Sequence, residues 1–356
     1  NMARHAVLIK GGIFLELANK MDVLLVDKTG TFTFGKPKVV DVIAFDGMLE
    51  EDVLRLAAIA EKYSEHPLAR AVMARAKECG IVVPDPDEFN IEVGMGITAQ
   101  LDGKKILVGK NKFLRDKGVC VAEYIEYAIS EQTEQGRTTI LVANDMKPAG
   151  LIAIADEIRP ETVQSIASLK AMGIKTITML TGDNHKVAKA VAEEIGVDDF
   201  HAELLPEQKL QFVEKLQKQG SVVGMIGDGI NDAPALALAD VGIAMGAAGT
   251  DVAVETADVT LMNDDLSRVV NFMEMSRKVM SRIKLNIFFS IIYNVVGFIL
   301  AGFGMLTPVL AVIFQEAGCI TVVFSSTLLL WAKTESLFTI PPTVENAIIE
   351  NVSQCA

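Results

Sequence analysis

The chain has 356 residues, a formal net charge of −13 and four cysteines. This length is enough for two or three domains. An excess of carboxylates repels phosphate backbones, so the charge argues against nucleic acid as a partner. The cysteines, at positions 79, 120, 319 and 355, lie far apart. Their spacing argues against a disulfide framework or a zinc knuckle and fits a reducing cytoplasm.

An apolar run at residues 23–26 ends at Asp27 and is followed by the polar turn Lys28-Thr29-Gly30-Thr31. This pattern predicts a buried parallel strand that presents Asp27 at its carboxyl end. Ligands of open α/β sheets bind in the crevice at that edge. Because a carboxylate can attack a phosphoryl group, Asp27 is a candidate nucleophile for an aspartyl-phosphate.

After Phe34-Gly35-Lys36-Pro37 the alternation of strands and helices is interrupted, and it resumes only after about Leu151. Residues 54–76 have helical periodicity with a turn at 64–67, and residues 85–109 form short strands punctuated by Gly and Pro. The pattern predicts one doubly wound α/β domain with an α+β insertion. Helices that cover the sheet are predicted at 161–172, 186–195 and 207–219.

Two later strands end in polar turns of the same kind. Residues 176–180 lead into Thr181-Gly182-Asp183-Asn184, and residues 221–226 lead into Gly227-Asp228-Gly229-Ile230-Asn231-Asp232. If the three strand ends meet at one sheet edge, they surround one phosphate and one hard cation, for which Mg²⁺ is the natural choice. Lys209, in a helix that begins near Pro206, is a candidate to neutralise the phosphate charge.

The C-terminal part of the chain is strongly apolar. Residues 285–306 contain no charged residue, and residues 308–331 contain one, Glu316. Each run is apolar enough and long enough to span a bilayer as a helix. Basic residues precede the first run and Lys333 follows the second, which predicts a hairpin with both ends in the cytoplasm. The protein is therefore expected in the cell membrane, as a multi-pass protein with cytoplasmic catalytic domains. A buried hairpin of a soluble core is the alternative.

The motifs DKTGT at 27–31, TGDN at 181–184, PEQK at 206–209 and GDGINDAPAL at 227–236 resemble the signature set of the P-type ATPases. SEHPL at 64–68, followed by Gly94-Met95-Gly96, is similar to the nucleotide-binding domain of the heavy-metal subgroup. The resemblance implies a haloacid-dehalogenase-like, doubly wound parallel sheet with an inserted α+β nucleotide-binding domain and a C-terminal transmembrane helical hairpin. The implied boundaries are 1–34 and 151–275 for the phosphorylation domain, 35–150 for the nucleotide-binding domain, 276–332 for the membrane helices and 333–356 for a cytoplasmic tail.

The resemblance also implies roles for the residues of the three turns. The residues that act on the phosphoryl group are Asp27, Thr181, Lys209, Asn231 and Asp232, and those that hold Mg²⁺ are Asp27, Asp228 and the Thr29 carbonyl. Thr29 stands where related phosphatases keep a second Asp as general acid and base. A threonine there removes this proton transfer, so we expect the acyl-phosphate to persist.

For ATP, the resemblance points to Glu61, His66, Gly94 and Gly96. Glycines permit close backbone approach to a nucleotide, but a GxG pattern alone is weak evidence and a lone His before Pro is usually structural. The two occur here in the expected order between the phosphorylation motifs, which favours function. Gly182 and Asp183 are expected to shape the turn beside the bound cofactor.

The residues for a transported metal are predicted in the hairpin, since polar groups in hydrocarbon tend to mark an ion path. Tyr293 and Asn294 resemble a pair found in copper(I) pumps, whereas Gln315, Glu316 and Cys319 stand where cobalt and zinc exporters carry an HEGST-type segment. Glu316 is a hard donor and Cys319 a soft one, so the metal is left as copper(I) or a divalent ion such as zinc or cobalt. Hydrogen bonds between helices are the alternative role of Glu316 and Gln315.

Family members also carry further membrane helices and an actuator domain, and the sequence contains neither. We therefore expect a C-terminal portion that needs these segments in cis or in trans to complete transport, with the lipid bilayer and a heavy-metal cation as its other partners. Two alternatives have different chemistry: a membrane-tethered phosphatase and a nucleotide-binding regulatory subunit. Thr29 and the insertion argue against the first, and the intact phosphorylation loops argue against the second.

Overall fold

The structure is a computed structural model that describes residues 7–92, 94–229, 232–246, 251–263 and 265–327. It divides into two compact units, one formed by Leu8–Ser267 and one that contains residues from 268 onward. The predicted tail at 333–356 lies outside the described residues.

The first unit contains a seven-stranded sheet with the order β1-β13-β12-β11-β2-β9-β10. Its strands are β1 (Val7–Ile9), β2 (Val23–Asp27), β9 (Thr176–Leu180), β10 (Asp199–His201), β11 (Val223–Gly227), β12 (Val241–Ala244) and β13 (Val259–Leu261). The pairs from β13 to β10 are parallel. Residues 23–27 are buried throughout, as in a sheet covered on both faces. The predicted haloacid-dehalogenase-like class of fold is confirmed.

The helices that cover this sheet follow from apolar spacing and local caps. They are α1 (Ile13–Lys20), α6 (Thr162–Ala171), α7 (His185–Ile195), α8 (Pro206–Lys218), α9 (Ala233–Leu238) and α10 (Asp251–Thr256). For example, the side chain of Asn184 accepts a hydrogen bond from the Val187 amide at 3.0 Å, and Gly196 ends α7 in a left-handed conformation. The three helices predicted over 161–219 are thus found as α6, α7 and α8.

The insertion is a second, antiparallel sheet with the order β3-β8-β7-β6-β5-β4. Its elements are β3 (Thr33–Ala44), α2 (Glu50–Glu61), α3 (Pro67–Glu78), β4 (Glu88–Glu92), β5 (Gly96–Leu101), β6 (Lys104–Gly109), α4 (Asn111–Asp116), α5 (Glu123–Glu134), β7 (Thr138–Asn144) and β8 (Lys147–Ile158). Helices α2 and α3 share one apolar core with the sheet, and α4 and α5 share another. Strands β3 and β8 run unbroken across the predicted boundaries at 34/35 and 150/151 and join the insertion to the first sheet.

The second unit consists largely of two long helices, α11 (Ser267–Gly302) and α12 (Pro308–Thr327). Both are long and apolar enough to cross a membrane. Twenty residues of helix rise about 30 Å, the thickness of the hydrocarbon core. Gly304 has a φ of 70° and allows the tight connection between the helices.

Gly242 in β12 provides a test of packing between strand and helix. A Cβ atom at this position would lie 2.2 Å from the backbone oxygen of Leu236 in α9, whereas a Cβ at Gly12 would meet nothing within 4 Å. Overpacking of this kind costs roughly 1–3 kcal/mol. We expect Gly242→Ala to lower the thermal unfolding midpoint, measured by circular dichroism, and Gly12→Ala to leave it nearly unchanged. Equal midpoints for the two variants would contradict this account of the packing.

Candidate active site

Three strand ends meet at one edge of the seven-stranded sheet. Strand β2 lies between β11 and β9, and Asp27 is the register partner of Leu180. Thr181 and Asp228 directly follow β9 and β11. The structure therefore brings the polar turns of the three motifs together, as the parallel order of the strands requires.

A buried lysine joins two of the carboxylates at this edge. Lys209, from the first turn of α8, places its Nζ 2.5 Å from Oδ1 of Asp27 and 2.7 Å from Oδ1 of Asp232. Asp27, Lys209 and Asp232 are only 6%, 7% and 2% exposed. Charge-assisted hydrogen bonds of this length are among the stronger polar contacts in proteins. The lysine thus holds the candidate nucleophile and the end of the third motif in one cluster.

The electrostatics of this cluster leave an excess of negative charge. Burial is the largest influence on Asp27 and, with the charge of Asp232, outweighs the opposing effect of Lys209, so the pKa of Asp27 is raised to about 7. Burial likewise raises the pKa of Asp232. Burial alone would lower the pKa of Lys209, but the two carboxylates outweigh it and raise that pKa. One lysine therefore does not offset the burial of these acids, and a further positive charge would stabilise them.

The donor set fits a magnesium ion that keeps some of its waters. Oδ2 of Asp232 is buried and has no hydrogen-bond partner among the described residues, and Asp228 contributes a further carboxylate nearby. Within the described ranges, no three His, Cys, Asp or Glu side chains form a metal cluster by themselves. Mg²⁺ commonly binds through one or two carboxylates together with water and phosphate oxygens. Asn231, also predicted here, lies outside the described residues.

The turn after Asp27 is held in shape by residues that were not predicted as part of the site. Gly30 has a φ of 75°, and its carbonyl accepts a hydrogen bond from Arg159 at 3.3 Å. Arg159 is buried, and its Nε also donates to the Thr33 carbonyl at 3.0 Å. The Thr33 hydroxyl in turn donates to Asp156 at 2.6 Å. The available signal was a pair of opposite charges, Asp156 and Arg159, directly after the apolar run of β8.

The Thr181 motif contacts the strand β10 on one side and the turn after Asp27 on the other. The Thr181 amide donates to the His201 carbonyl at 3.0 Å, and the Thr181 hydroxyl accepts from the Asp183 amide at 3.1 Å. Asp183 forms an ion pair with Lys28, which follows the candidate nucleophile. A Cβ atom at Gly182 would lie 3.5 Å from the nearest backbone atom. Asp183 therefore links the first two motifs.

The predicted nucleotide residues have mixed local roles. The Oε2 atom of Glu61 is buried without a hydrogen-bond partner among the described residues, and burial raises the pKa of this side chain. His66 accepts the Leu68 amide at Nδ1 and so caps α3, while burial lowers its pKa. Gly94 has a φ of 75°. A Cβ at Gly96 would lie 2.4 Å from the ring of Phe113, so packing alone already requires a glycine there.

The predicted metal residues of the hairpin occupy two different surroundings. The Tyr293 ring stacks on Phe314 at 4.1 Å between centroids, and its hydroxyl donates to the Phe314 carbonyl at 2.6 Å. Glu316 and Cys319 lie on one face of α12, along a groove of about 430 Å³. Asn294 and Gln315 are exposed. Tyr293 thus packs the two helices together, whereas Glu316 and Cys319 face open space.

Comparison with known proteins agrees with this architecture. A family model for haloacid dehalogenase-like hydrolases matches residues 21–240. The chain is 44% identical over 336 residues to a zinc-exporting P-type ATPase of Mycobacterium marinum, covering 94% of this chain and 46% of the relative. It is 45% identical over 331 residues to a manganese-exporting P-type ATPase of Mycobacterium tuberculosis, covering 93% and 46%. The crystal structure of a zinc-transporting PIB-type ATPase in the E2.Pi state is similar with a TM-score of 0.77 and 36% identity, over 92% of this chain and 53% of the other.

The chain belongs to the haloacid dehalogenase-like hydrolases and, within them, to the heavy-metal P-type ATPases. It spans about half the length of the curated relatives that it matches. The expected location, in a membrane with the catalytic domains in the cytoplasm, is confirmed by these relatives and by the two apolar helices.

Arg159 offers a test of how the turn after Asp27 is held in shape. A lysine cannot donate in two directions from a planar fork, so Arg159→Lys leaves buried carbonyls of the turn without partners. We expect a loss of about 1–3 kcal/mol in the free energy of unfolding, measured with urea. Arg75→Lys is the matched control, because Arg75 is half exposed and pairs with Glu78 in its own helix. A loss of the same size in both variants would show that the buried hydrogen bonds of Arg159 do not matter.

Proposed function

We propose that this chain carries the catalytic part of an ATP-driven heavy-metal transporter that works through an aspartyl-phosphate. A carboxylate oxygen of Asp27 attacks the γ-phosphorus of ATP, the bond from that phosphorus to the bridging β,γ-oxygen breaks, and ADP leaves with the electron pair. The observation that supports this step is the buried contact of Asp27 with Lys209 and Asp232 at the meeting point of three strand ends.

The neighbours of Asp27 have complementary tasks in this reaction. Lys209 offers a fixed positive charge to the oxygens of the transferred group, where charge is stabilised most effectively in a site that excludes water. Thr181 supplies a hydroxyl at the same edge. Asp27, Asp228 and the Thr29 carbonyl would hold Mg²⁺, which neutralises phosphate oxygens when it is bound. Asn231 and Asp232 complete the third loop in this proposal.

The persistence of the phosphoryl-enzyme is explained by Thr29. In the structure this residue follows the strand that ends at Asp27, in the turn Lys28–Phe32. A threonine hydroxyl is a poor general base at neutral pH, so water is not activated from this position. Slow hydrolysis leaves time for the stored free energy to be used in moving an ion, which distinguishes a transporter from a phosphatase.

We further propose that the insertion binds the adenine part of ATP through Glu61, His66, Gly94 and Gly96. The support is a buried carboxyl oxygen of Glu61 without a partner among the described residues. An adenine amino group is a donor that would satisfy this acceptor. His66, whose Nδ1 is occupied as a cap, retains Nε2 for the nucleotide.

For the transported ion we propose a heavy-metal cation that contacts Glu316 and Cys319. Gln315 precedes Glu316 in α12, and the other proposed residues, Tyr293 and Asn294, belong to α11. A carboxylate and a thiolate are donors of different softness, which suits a borderline divalent ion. The relatives include exporters of zinc, manganese and copper, so they leave both a divalent ion and copper(I) open. Transport would also involve segments equivalent to those parts of the relatives that lie outside the matched half.

Labelling with ATP that carries a tagged γ-phosphate tests the chemistry at Asp27. We expect an acid-stable, hydroxylamine-sensitive label on the chain that is abolished in Asp27→Asn. Asp22→Asn is the matched control, because Asp22 lies just before the same strand, far from the site, and pairs with Lys175. Phosphate release without label would support a phosphatase, and nucleotide binding without either would support a regulatory subunit.

Titration of the detergent-solubilised chain with Zn²⁺ tests the proposed ion contacts. We expect Glu316→Gln and Cys319→Ser each to weaken binding by roughly tenfold or more, a loss of at least about 1.4 kcal/mol in binding free energy. Thr321→Ser is the control, because the Thr321 hydroxyl bonds the Ala317 carbonyl of its own helix. Unchanged affinity in both ligand variants would refute the assignment of this face.

A further inference from the structure

Helix α5 of the insertion lies against α7 of the phosphorylation domain through a small polar contact. Lys186, in the first turn of α7, donates to the Ser130 hydroxyl at 2.6 Å. The same hydroxyl donates to Glu134 at 3.0 Å, and Lys186 lies 3.5 Å from the Glu134 carboxylate. Lys186, Ser130 and Glu134 together form the α5–α7 contact.

Apolar packing accompanies these hydrogen bonds. Gly136, which follows α5, has a φ of 75° and comes close to α7. A Cβ atom at Gly136 would lie 3.5 Å from a Val191 methyl group and 3.6 Å from the Ala190 Cβ. The end of α5 therefore rests on α7 at van der Waals distance as well as through Lys186.

The end of α5 is also fixed within the insertion itself. The buried Gln132 side chain donates to Asp41 in β3 at 3.1 Å and accepts from Arg137 at 2.8 Å. Because Asp41 belongs to a strand of the antiparallel sheet, a force on α5 reaches the whole insertion. The α5–α7 contact can therefore orient the inserted domain as one body.

The insertion is attached covalently to the phosphorylation domain through a pair of strands. Strands β3 and β8 are antiparallel, and their register shifts between Thr33 and Pro37 and again between Val39 and Asp41. Such irregularities increase local twist and bend a ribbon. A two-stranded ribbon by itself leaves the direction of the domain loosely defined, and a side contact can select one orientation.

The position of Lys186 is unfavourable for α7 alone. Cations near a helix N-terminus oppose the positive end of the helix dipole and cost about 0.3–1 kcal/mol. The first turn of α7 contains no acidic residue that would compensate. The benefit of a lysine at this position thus lies outside its own helix, in Ser130 and Glu134 of the insertion.

From these observations we infer that Lys186 is a positioning residue that holds the inserted domain in the orientation from which ATP is presented to Asp27. Lys186 follows Thr181 by five residues, so the contact acts at the helix that leaves the active-site edge. The inference rests on the proposed role of the insertion in nucleotide binding. The side chains of Lys186 and Glu134 are 57% and 67% exposed. An exposed pair shifts an equilibrium by only about two- to fivefold, which suits a contact that must form and break.

The distance between the two domains tests the inference directly. Spin labels on Cys79 and on Lys218→Cys, with the other cysteines changed to Ser, report this distance in the full chain. We expect Lys186→Met to lower the population at the wild-type distance, relative to the population at other distances, about two- to fivefold. Lys186→Arg should retain the wild-type population. Lys189→Met is the matched control, because Lys189 is equally exposed and pairs with Glu193 in its own helix. An unchanged distribution in Lys186→Met, or the same change in Lys189→Met, would overturn the inference.

Phosphorylation provides a readout that a purely structural role would not move. If only the docked fraction accepts ATP productively, the ATP concentration for half-maximal labelling rises in Lys186→Met by about two- to fivefold. Labelling at saturating ATP stays at the wild-type level, because the nucleotide then bridges both domains. A lower half-maximal concentration, or a loss confined to saturating ATP, would contradict the inference. Absence of label in the wild type would instead refute the proposed function, while the distance measurement would still test the contact.

Discussion

The contact of Lys209 with Asp27 and Asp232 is the interaction on which the candidate site depends. Two carboxylates buried at a sheet edge are unstable together unless a positive charge lies between them. The lysine comes from a helix 182 residues further along the chain than Asp27, and the strand order β11-β2-β9 brings the acids to it. The remaining excess of negative charge makes the site suitable for a magnesium ion, which would offset the charge of a phosphate.

The candidate site and the insertion are joined by a short stretch of chain at the end of β8. Arg159 and Asp156 stand at the end of β8, where the insertion returns to the first sheet. Arg159 donates to the Gly30 carbonyl in the turn after Asp27, and both Arg159 and Asp156 bond to Thr33, which follows that turn. A change in the direction of the insertion would therefore act on the residues that shape the turn after Asp27. If the insertion binds ATP as proposed, this arrangement links nucleotide binding to the geometry at Asp27 through directly bonded residues.

The hairpin is held together by different forces from those that stabilise the first unit. Its two helices meet through the Tyr293 and Phe314 rings, and a Cβ at Gly318 would lie 2.6 Å from the Tyr293 ring. At the other end, Asn286 bonds both Ser325 and Ser326. Close packing and interhelical hydrogen bonds are the forces expected to hold helices together in lipid. The apolar faces that remain exposed, including the groove beside Glu316, are those that lipid or further helices would cover.

The sequence by itself determined the three strands that carry the motifs, the covering helices α6, α7 and α8, the apolar hairpin and the family, because these depend on local periodicity and on ordered motifs. It also indicated which turns would meet, since parallel strands end at one edge. Only the tertiary structure decided that Lys209 contacts two carboxylates and that Arg159 holds the turn after Asp27. It alone showed that His66 caps a helix, that Gly96 is required by Phe113 and that α5 rests on α7. These relations join residues far apart in the chain, and their distances depend on packing and side-chain reach, which no local pattern records.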